Sequence, residues 1–324
     1  MKKRIVLLVF FALSFAFTGC QNAILSEKNQ PIHNTSTMRI TAVIPHDDKA
    51  YWTSVIDGIT AAAEDFPVNV KIRLPSMNYS VPQMTELIKE ATAARVDAII
   101  VQGVDDPDYI KALENAWKKG IQIIFVDTDL PQFPEHLYIG TDNYAAGRLL
   151  GEKLVEETGG RARIGLISGA PGYPNLELRL QGIKDVISRY SDMSIEAIEY
   201  DQYDYITFYE KYKLLSQREY GIDTLVCIEG TGTLSMTIRG ILDKRAPAFK
   251  CVIGFDFYKE SERVLTEGLM DGVIRQQTFI MGYRSIEESY RYKTEGHYSH
   301  NVIHTDIDYL TASDLNKEVK DEVR

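Results

Sequence analysis

The residues of this chain that could do chemistry stand directly after short apolar runs. Run 39–44 is followed by Pro45-His46-Asp47-Asp48-Lys49-Ala50-Tyr51-Trp52, and run 121–126 by Asp127-Thr128-Asp129. Run 163–168 is followed by Gly169-Ala170-Pro171-Gly172-Tyr173-Pro174-Asn175, run 251–255 by Asp256, and run 272–275 by Gln276 and Gln277. Carboxylates, amides, cations and aromatic rings in this mixture suit a sugar. Hydroxyl groups donate and accept, so Asp, Asn, Gln, Lys and Arg can each bond them, with charge-assisted bonds the strong ones. The C–H faces of a sugar ring stack on aromatic rings.

Catalysis would ask for a nucleophile beside a base, or for two carboxylates at a set separation. The chain has no Gly-x-Ser-x-Gly elbow and no phosphate-cradling glycine loop. Asp127 and Asp256 could form a carboxylate pair, which keeps a secreted carbohydrate-active enzyme as a remote alternative to a binder. No catalytic residue and no cofactor is expected. His297, His300 and His304 lack a surrounding Cys or Glu framework, and Asp47-Asp48 lacks the glycine-punctuated calcium pattern, so no metal site is expected.

The elements that must position these residues alternate. Apolar, β-branched runs occur at 39–44, 68–73, 98–101, 121–126, 163–168, 224–228, 251–255 and 272–275, with a last piece at 301–307. Between them lie segments of helical period at 52–66, 81–94, 108–119, 143–157, 176–190, 207–219, 235–245 and 281–292. Unbroken apolar strands mean parallel sheets covered on both faces, and the alternation means βαβ units. The pattern restarts after Asp142, which predicts two similar lobes. In such open sheets ligands bind at the carboxyl ends of the strands.

At the N-terminus, Met1-Lys2-Lys3-Arg4 precedes an apolar run over 5–17 and then Thr18-Gly19-Cys20. This order reads as a secretory signal over 1–19, and its end resembles a bacterial lipobox, with Cys20 as the lipidated (palmitate-bearing) residue. The run is shorter than the ~20 apolar residues that span a bilayer. A polar tether at 20–37 would join the anchor to the body. The expectation is a lipoprotein on the extracytoplasmic face of the cell membrane. A net charge of −10 disfavours nucleic acid as a partner. Of the three cysteines, Cys227 and Cys251 lie in apolar runs and read as buried thiols, with a disulfide between them an open alternative.

The ordered landmarks resemble the type I periplasmic binding proteins of the ribose-binding group, which share their fold with the sugar-binding half of the lac repressor family. They are Ala42-Val43-Ile44 leading to Tyr51-Trp52 and Gly58, then Ile124-Phe125-Val126-Asp127, then Tyr138-Ile139-Gly140-Thr141-Asp142-Asn143 with Ala146-Gly147. Arg179-Leu180-Gln181-Gly182, Val252-Ile253-Gly254-Phe255-Asp256, and Gln276 six residues before Gly282 complete the set. The resemblance implies two Rossmann-like lobes joined by a three-strand hinge. The first lobe would hold 38–142 and 277–304, and the second 143–276 and 305–312, with a charged tail at 313–324. It implies sugar contacts from Lys49, Tyr51, Trp52, Asp127, Asn175, Arg179, Tyr203, Asp256 and Gln276. The implied partners of the monomer are the permease of an ABC importer or, alternatively, a membrane histidine kinase.

Plainer roles stand beside these. Tyr51 and Trp52 could be core aromatics, Asp127 and Asp256 helix caps, Arg179 half of a surface ion pair and Lys49 a solvated loop charge. The Tyr-rich stretch from Tyr200 to Tyr220 reads as the buried and half-buried face of a helix and the approach to it. Glu229, Glu177 and Thr128 depart from the family pattern, which leaves the identity of the sugar open. Lys49 and Asn175 with Arg179 resemble the xylose-binding members.

Overall fold

The computed structural model describes residues 37–45, 51–243, 248–259 and 262–315. The expected signal, the tether up to residue 36, Cys20, Lys49 and the end of the charged tail lie outside these residues. Two six-stranded sheets carry the fold. The first holds β1 (Met38–Val43), β2 (Val68–Arg73), β3 (Ala98–Val101), β4 (Gln122–Val126), β5 (Leu137–Thr141) and β11 (Val302–Thr305), in the order β11-β5-β4-β3-β1-β2. The second holds β6 (Ala162–Ser168), β7 (Met193–Tyr200), β8 (Thr224–Cys227), β9 (Cys251–Phe255), β10 (Gly272–Gln276) and β12 (Ile307–Leu310), in the order β12-β10-β9-β8-β6-β7. The two orders are the same once β1–β5 are laid on β6–β10, so the chain builds one topology twice.

Period-two alternation explains why the apolar runs are unbroken. Ile40, Ala42, Ala98, Ile100, Ile124 and Val126 face a core beneath α1 (Tyr51–Asp65) and α9 (Thr278–Glu295). Their neighbours Val43, Ile99, Val101, Ile123 and Phe125 face the opposite core, beneath α2 (Val81–Ala93) and α3 (Pro107–Trp117). Each face must be apolar because each is covered by helices. The second sheet is covered likewise by α4 (Asn143–Thr158) and α5 (Pro174–Ile187) on one side. On the other lie α6 (Tyr205–Leu215), α7 (Gly230–Asp243) and α8 (Glu262–Thr266).

The helices cross between lobes. α4 follows β5 of the first sheet yet packs on α5, while α9 follows β10 of the second sheet yet packs on α1. Glycines allow both pairs to approach closely. A Cβ on Gly58 would lie 2.0 Å from the Phe279 carbonyl oxygen, and one on Gly147 would lie 2.1 Å from that of Arg179.

Four sequence expectations are corrected. The final apolar piece is two strands, β11 and β12, parted by Asp306. β5 and β10 both run toward the cleft, so a chain passing straight from one sheet to the other leaves parallel to β5 and enters antiparallel to β10. The pairings are indeed parallel for β11–β5 and antiparallel for β12–β10, so the second sheet is not wholly parallel. β7 was absent from the apolar runs because it is an edge strand with an exposed face and alternating side chains. The tail begins later than expected, since Thr311 donates its N–H and hydroxyl to Asp314 and Leu315 is buried in the core.

Candidate functional site

Asp127 and Asp256 occupy matching places, one residue beyond β4 and one beyond β9. Both have left-handed backbones, with φ of 68° and 65°. The Asp127 N–H donates to the Ile139 carbonyl of β5 at 3.1 Å, and the Asp256 N–H to the Ile274 carbonyl of β10 at 2.8 Å. Each strand end is thus tied to its neighbour while the side chain turns off the sheet toward the cleft. Non-glycine residues in this conformation carry strain, which persists where the surroundings enforce it. No helix begins at either residue, so neither acts as the cap that its type alone would suggest.

Around Asp127 the first lobe is densely bonded. Its carboxylate accepts from the Tyr51 hydroxyl at 2.5 Å, the Gln102 amide at 2.7 Å and the Thr128 hydroxyl at 2.7 Å. Burial, and then the charge of Asp127, push the Tyr51 phenol well above its ordinary range, so it remains a donor. Trp52 is 1 % exposed and belongs to the core, yet it also borders the cleft, and its indole N–H donates to the Tyr79 hydroxyl at 3.0 Å. Trp52 is thus a core residue that also borders the cavity.

The second lobe is arranged more sparsely. The Asp256 carboxylate accepts from the Gln276 amide at 2.6 Å, and the amide oxygen of Gln276 accepts from Thr141 at 2.6 Å. Thr141 and Gln276 end the matching strands β5 and β10, so this bond joins two of the crossovers between the lobes. Burial pushes Asp256 up to about 6; Arg179 and the Gln276 bond oppose the rise, while Glu229 and Asp127 add to it. Arg179 is buried, not in a surface ion pair. Its Nε donates to Asn143 at 2.8 Å, another guanidinium nitrogen to the Ile228 carbonyl at 2.9 Å, and its plane lies 4.0 Å from the centre of the Phe255 ring. Glu229 caps α7 by accepting from the N–H groups of Thr231 and Gly232. Behind it, fully buried Asp201 is driven well above the carboxylate range by burial and by the Glu229 charge.

A cavity of about 140 Å³ lies between the two sets. Of the nine sequence-predicted contacts, Tyr51, Trp52, Asp127, Asn175, Arg179, Tyr203, Asp256 and Gln276 all border it; Lys49 is outside the described residues. Asn175 contributes a buried carboxamide oxygen that no protein group bonds. Tyr79, Gln102, Tyr173, Tyr205 and Tyr258 also border the cavity and were missed. Gln102 directly follows β3, so the rule of reading the residue after each strand would have found it. Tyr79 sits deep in the loop after β2 and Tyr205 opens α6, positions where no such rule applies. Tyr205 is also 46 % exposed, so the Tyr-rich stretch is only partly a helix face.

Cys227 and Cys251 are buried free thiols; β8 and β9 pair with Thr224, not Cys227, opposite Cys251. Among the described residues no group of His, Cys, Asp or Glu is arranged to hold a metal ion, and no helix is long and apolar enough to cross a membrane.

Comparison with known proteins places this architecture. The chain is 22 % identical over 218 residues to the D-apiose import binding protein of Actinobacillus succinogenes, covering 67 % of this chain and 69 % of that one. Its fold is similar to that of GanP, a glucose-galactose binding protein from Geobacillus stearothermophilus, with a TM-score of 0.78, 26 % identity, and coverage of 86 % of this chain and 99 % of that one. It is also similar to a chain of the XylFII-LytSN complex, with a TM-score of 0.75, 22 % identity and coverage of 86 % and 99 %. Residues 40–296 match the periplasmic binding protein domain, and the chain belongs to that family of binding proteins, not of enzymes.

Proposed function

We propose that this protein binds a small sugar between its lobes and delivers it to an ABC importer from the extracytoplasmic face of the membrane, held there by a lipid on Cys20. The observation that carries the reading is the facing pair Asp127 and Asp256. They are matching carboxylates from opposite lobes that border one cavity with Arg179 and with Asn175, whose buried amide oxygen no protein group bonds. Acceptors from two sides satisfy a ligand whose edges are hydroxyl donors, and the Arg179 guanidinium supplies a donor to a ring or hydroxyl oxygen. Lys49, two residues before Tyr51 in the sequence, is a further candidate first-lobe contact. The cavity between the lobes has a volume of about 140 Å³. Sugar-binding relatives and similar structures support the same class. Neither lobe alone meets every hydroxyl, so the ligand favours the closed arrangement and shifts the population toward it.

A thermal-shift screen of pentoses and hexoses tests this. A ligand at a hundredfold excess over its Kd adds about 2.7 kcal/mol, so one monosaccharide should raise the Tm by several degrees. A shift with an amino acid and with no sugar would overturn the reading. For the anchor, a clickable fatty acid should label the full chain but not Cys20→Ala; equal labelling would remove that part. The second reading is a sensor subunit that reports sugar to a membrane histidine kinase, and the XylFII-LytSN similarity is what favours it. Co-purification from membranes with a permease or with a kinase separates the two.

A further inference from the structure

The loop after β2 and the loop after β7 are matching loops of the two lobes, and each carries a tyrosine in the left-handed region. Tyr79 has a φ of 56°, Tyr203 a φ of 58°, and Gln202 before it 57°. Bulky residues are uncommon there, so both loops are held against their preference. The holding bonds are on the backbone. The Tyr79 N–H donates to the Pro45 carbonyl at 2.7 Å, that of Gln202 to the Gly169 carbonyl at 2.7 Å, and that of Tyr203 to the Asp201 carboxyl at 2.9 Å.

The effect is to bring the two rings together across the cleft. Tyr79 and Tyr203 stack with centroids 6.1 Å apart and planes 23° from parallel. Tyr173 meets Tyr203 edge-on at 5.6 Å. Room for the Tyr203 ring comes from Gly169, where a Cβ would lie 2.2 Å from it. Both rings border the cavity, yet Tyr79 is 40 % and Tyr203 38 % exposed, so they stand at its mouth. The bond from Trp52 to the Tyr79 hydroxyl ties this closure to the aromatic wall of the cavity.

We propose that Tyr79 and Tyr203 form a clasp across the cleft mouth that limits the ligand to one sugar ring and slows its release. This rests on the sugar-binding reading above. A monosaccharide fits beneath the stacked rings, whereas a second ring linked to it would have to pass where they meet. The clasp forms only when the lobes are together, so it favours the closed state and acts on dissociation.

The test uses calorimetry and stopped-flow on the full chain, Tyr79→Ala and Tyr79→Phe. The probes are D-xylose, D-glucose and D-galactose, with xylobiose, cellobiose and lactose as their two-ring counterparts. The wild type is expected to bind a monosaccharide and reject the matching disaccharide. Tyr79→Ala should release the monosaccharide roughly fivefold faster, the scale of one aromatic pair, and should admit the disaccharide. Tyr79→Phe keeps the stack and should keep the exclusion, even without the bond from Trp52. The clasp is overturned if the wild type binds the disaccharide as tightly as the monosaccharide. It is also overturned if Tyr79→Ala still rejects the disaccharide and releases the monosaccharide at the wild-type rate. Binding of no monosaccharide by the wild type would remove the sugar reading itself, and the clasp as a sugar-size limit with it.

Discussion

The first lobe surrounds its carboxylate with partners, and the second leaves its carboxylate nearly alone. Asp127 accepts three side-chain hydrogen bonds, whereas Asp256 accepts one, from Gln276. The backbones are alike, the strands match and the φ values differ by only a few degrees. Repetition of the topology has therefore kept the scaffold and let the neighbours diverge. The first lobe holds a preorganised acceptor that also stabilises its own fold. The second holds acceptors, Asp256 and Glu229, that crowd one another, with Asp201 buried behind them.

The largest effect is expected where folding and binding share a residue. Asp127→Ala takes the carboxylate acceptor from the buried Tyr51 hydroxyl, costing about 1–3 kcal/mol, and leaves the Gln102 amide only its longer bond to Thr128. It should lower the ligand-free Tm and weaken sugar binding more than tenfold, read by calorimetry and thermal melts. Asp256→Ala should weaken binding at least tenfold, since each 1.4 kcal/mol is a factor of ten, while circular dichroism shows the fold intact. Unchanged affinity in a folded Asp256→Ala protein would erase the contrast between the lobes and misplace the site.

Glycine contacts sharpen the comparison further. Gly58→Ala and Gly147→Ala each force a methyl against a backbone carbonyl, which costs about 1–3 kcal/mol. The displaced carbonyl beside Gly147 is that of Arg179, so Gly147→Ala should also reduce affinity. Gly58→Ala presses on Phe279 and should act chiefly on stability. Equal losses of affinity in both would show that Arg179 is not the reason.

A smaller effect concerns pH. The folded protein keeps the Asp256 proton up to about pH 6, whereas an unfolded aspartate releases it near pH 4. The native state therefore binds more protons across that window, and its stability falls as pH rises through it. Ligand-free Asp256→Asn should melt above the wild type at pH 7.5, with the difference gone by pH 4. Sugar affinity of the wild type should fall below about pH 6, as the acceptor is protonated. The smallest expected effect is none: Cys227 and Cys251 are free, so reductant should leave the Tm unchanged, and a drop would reveal a disulfide.

Much of this site was legible in the sequence because position after a strand is a local property. Apolar runs marked β4 and β9, and the next residues had to be Asp127 and Asp256. Glu229 was visible as a departure, but its cap on α7 and its pressure on Asp201 were not. Asp201 follows β7, an edge strand whose alternation carries a weak signal. Tyr79 was invisible because its role depends on Tyr203, more than a hundred residues away.

The family resemblance implied eight of the residues that border the cleft; by itself the sequence determined the alternation of strands and helices and the doubling of the lobe after Asp142. Those features follow from burial, which writes a period into the chain wherever a strand or helix has faces. Only the tertiary structure decided that β12 runs against β10 and that Tyr79 meets Tyr203. Periodicity records that a side chain is covered and not what covers it. Which strand ends face one another is set by where the chain crosses between the lobes.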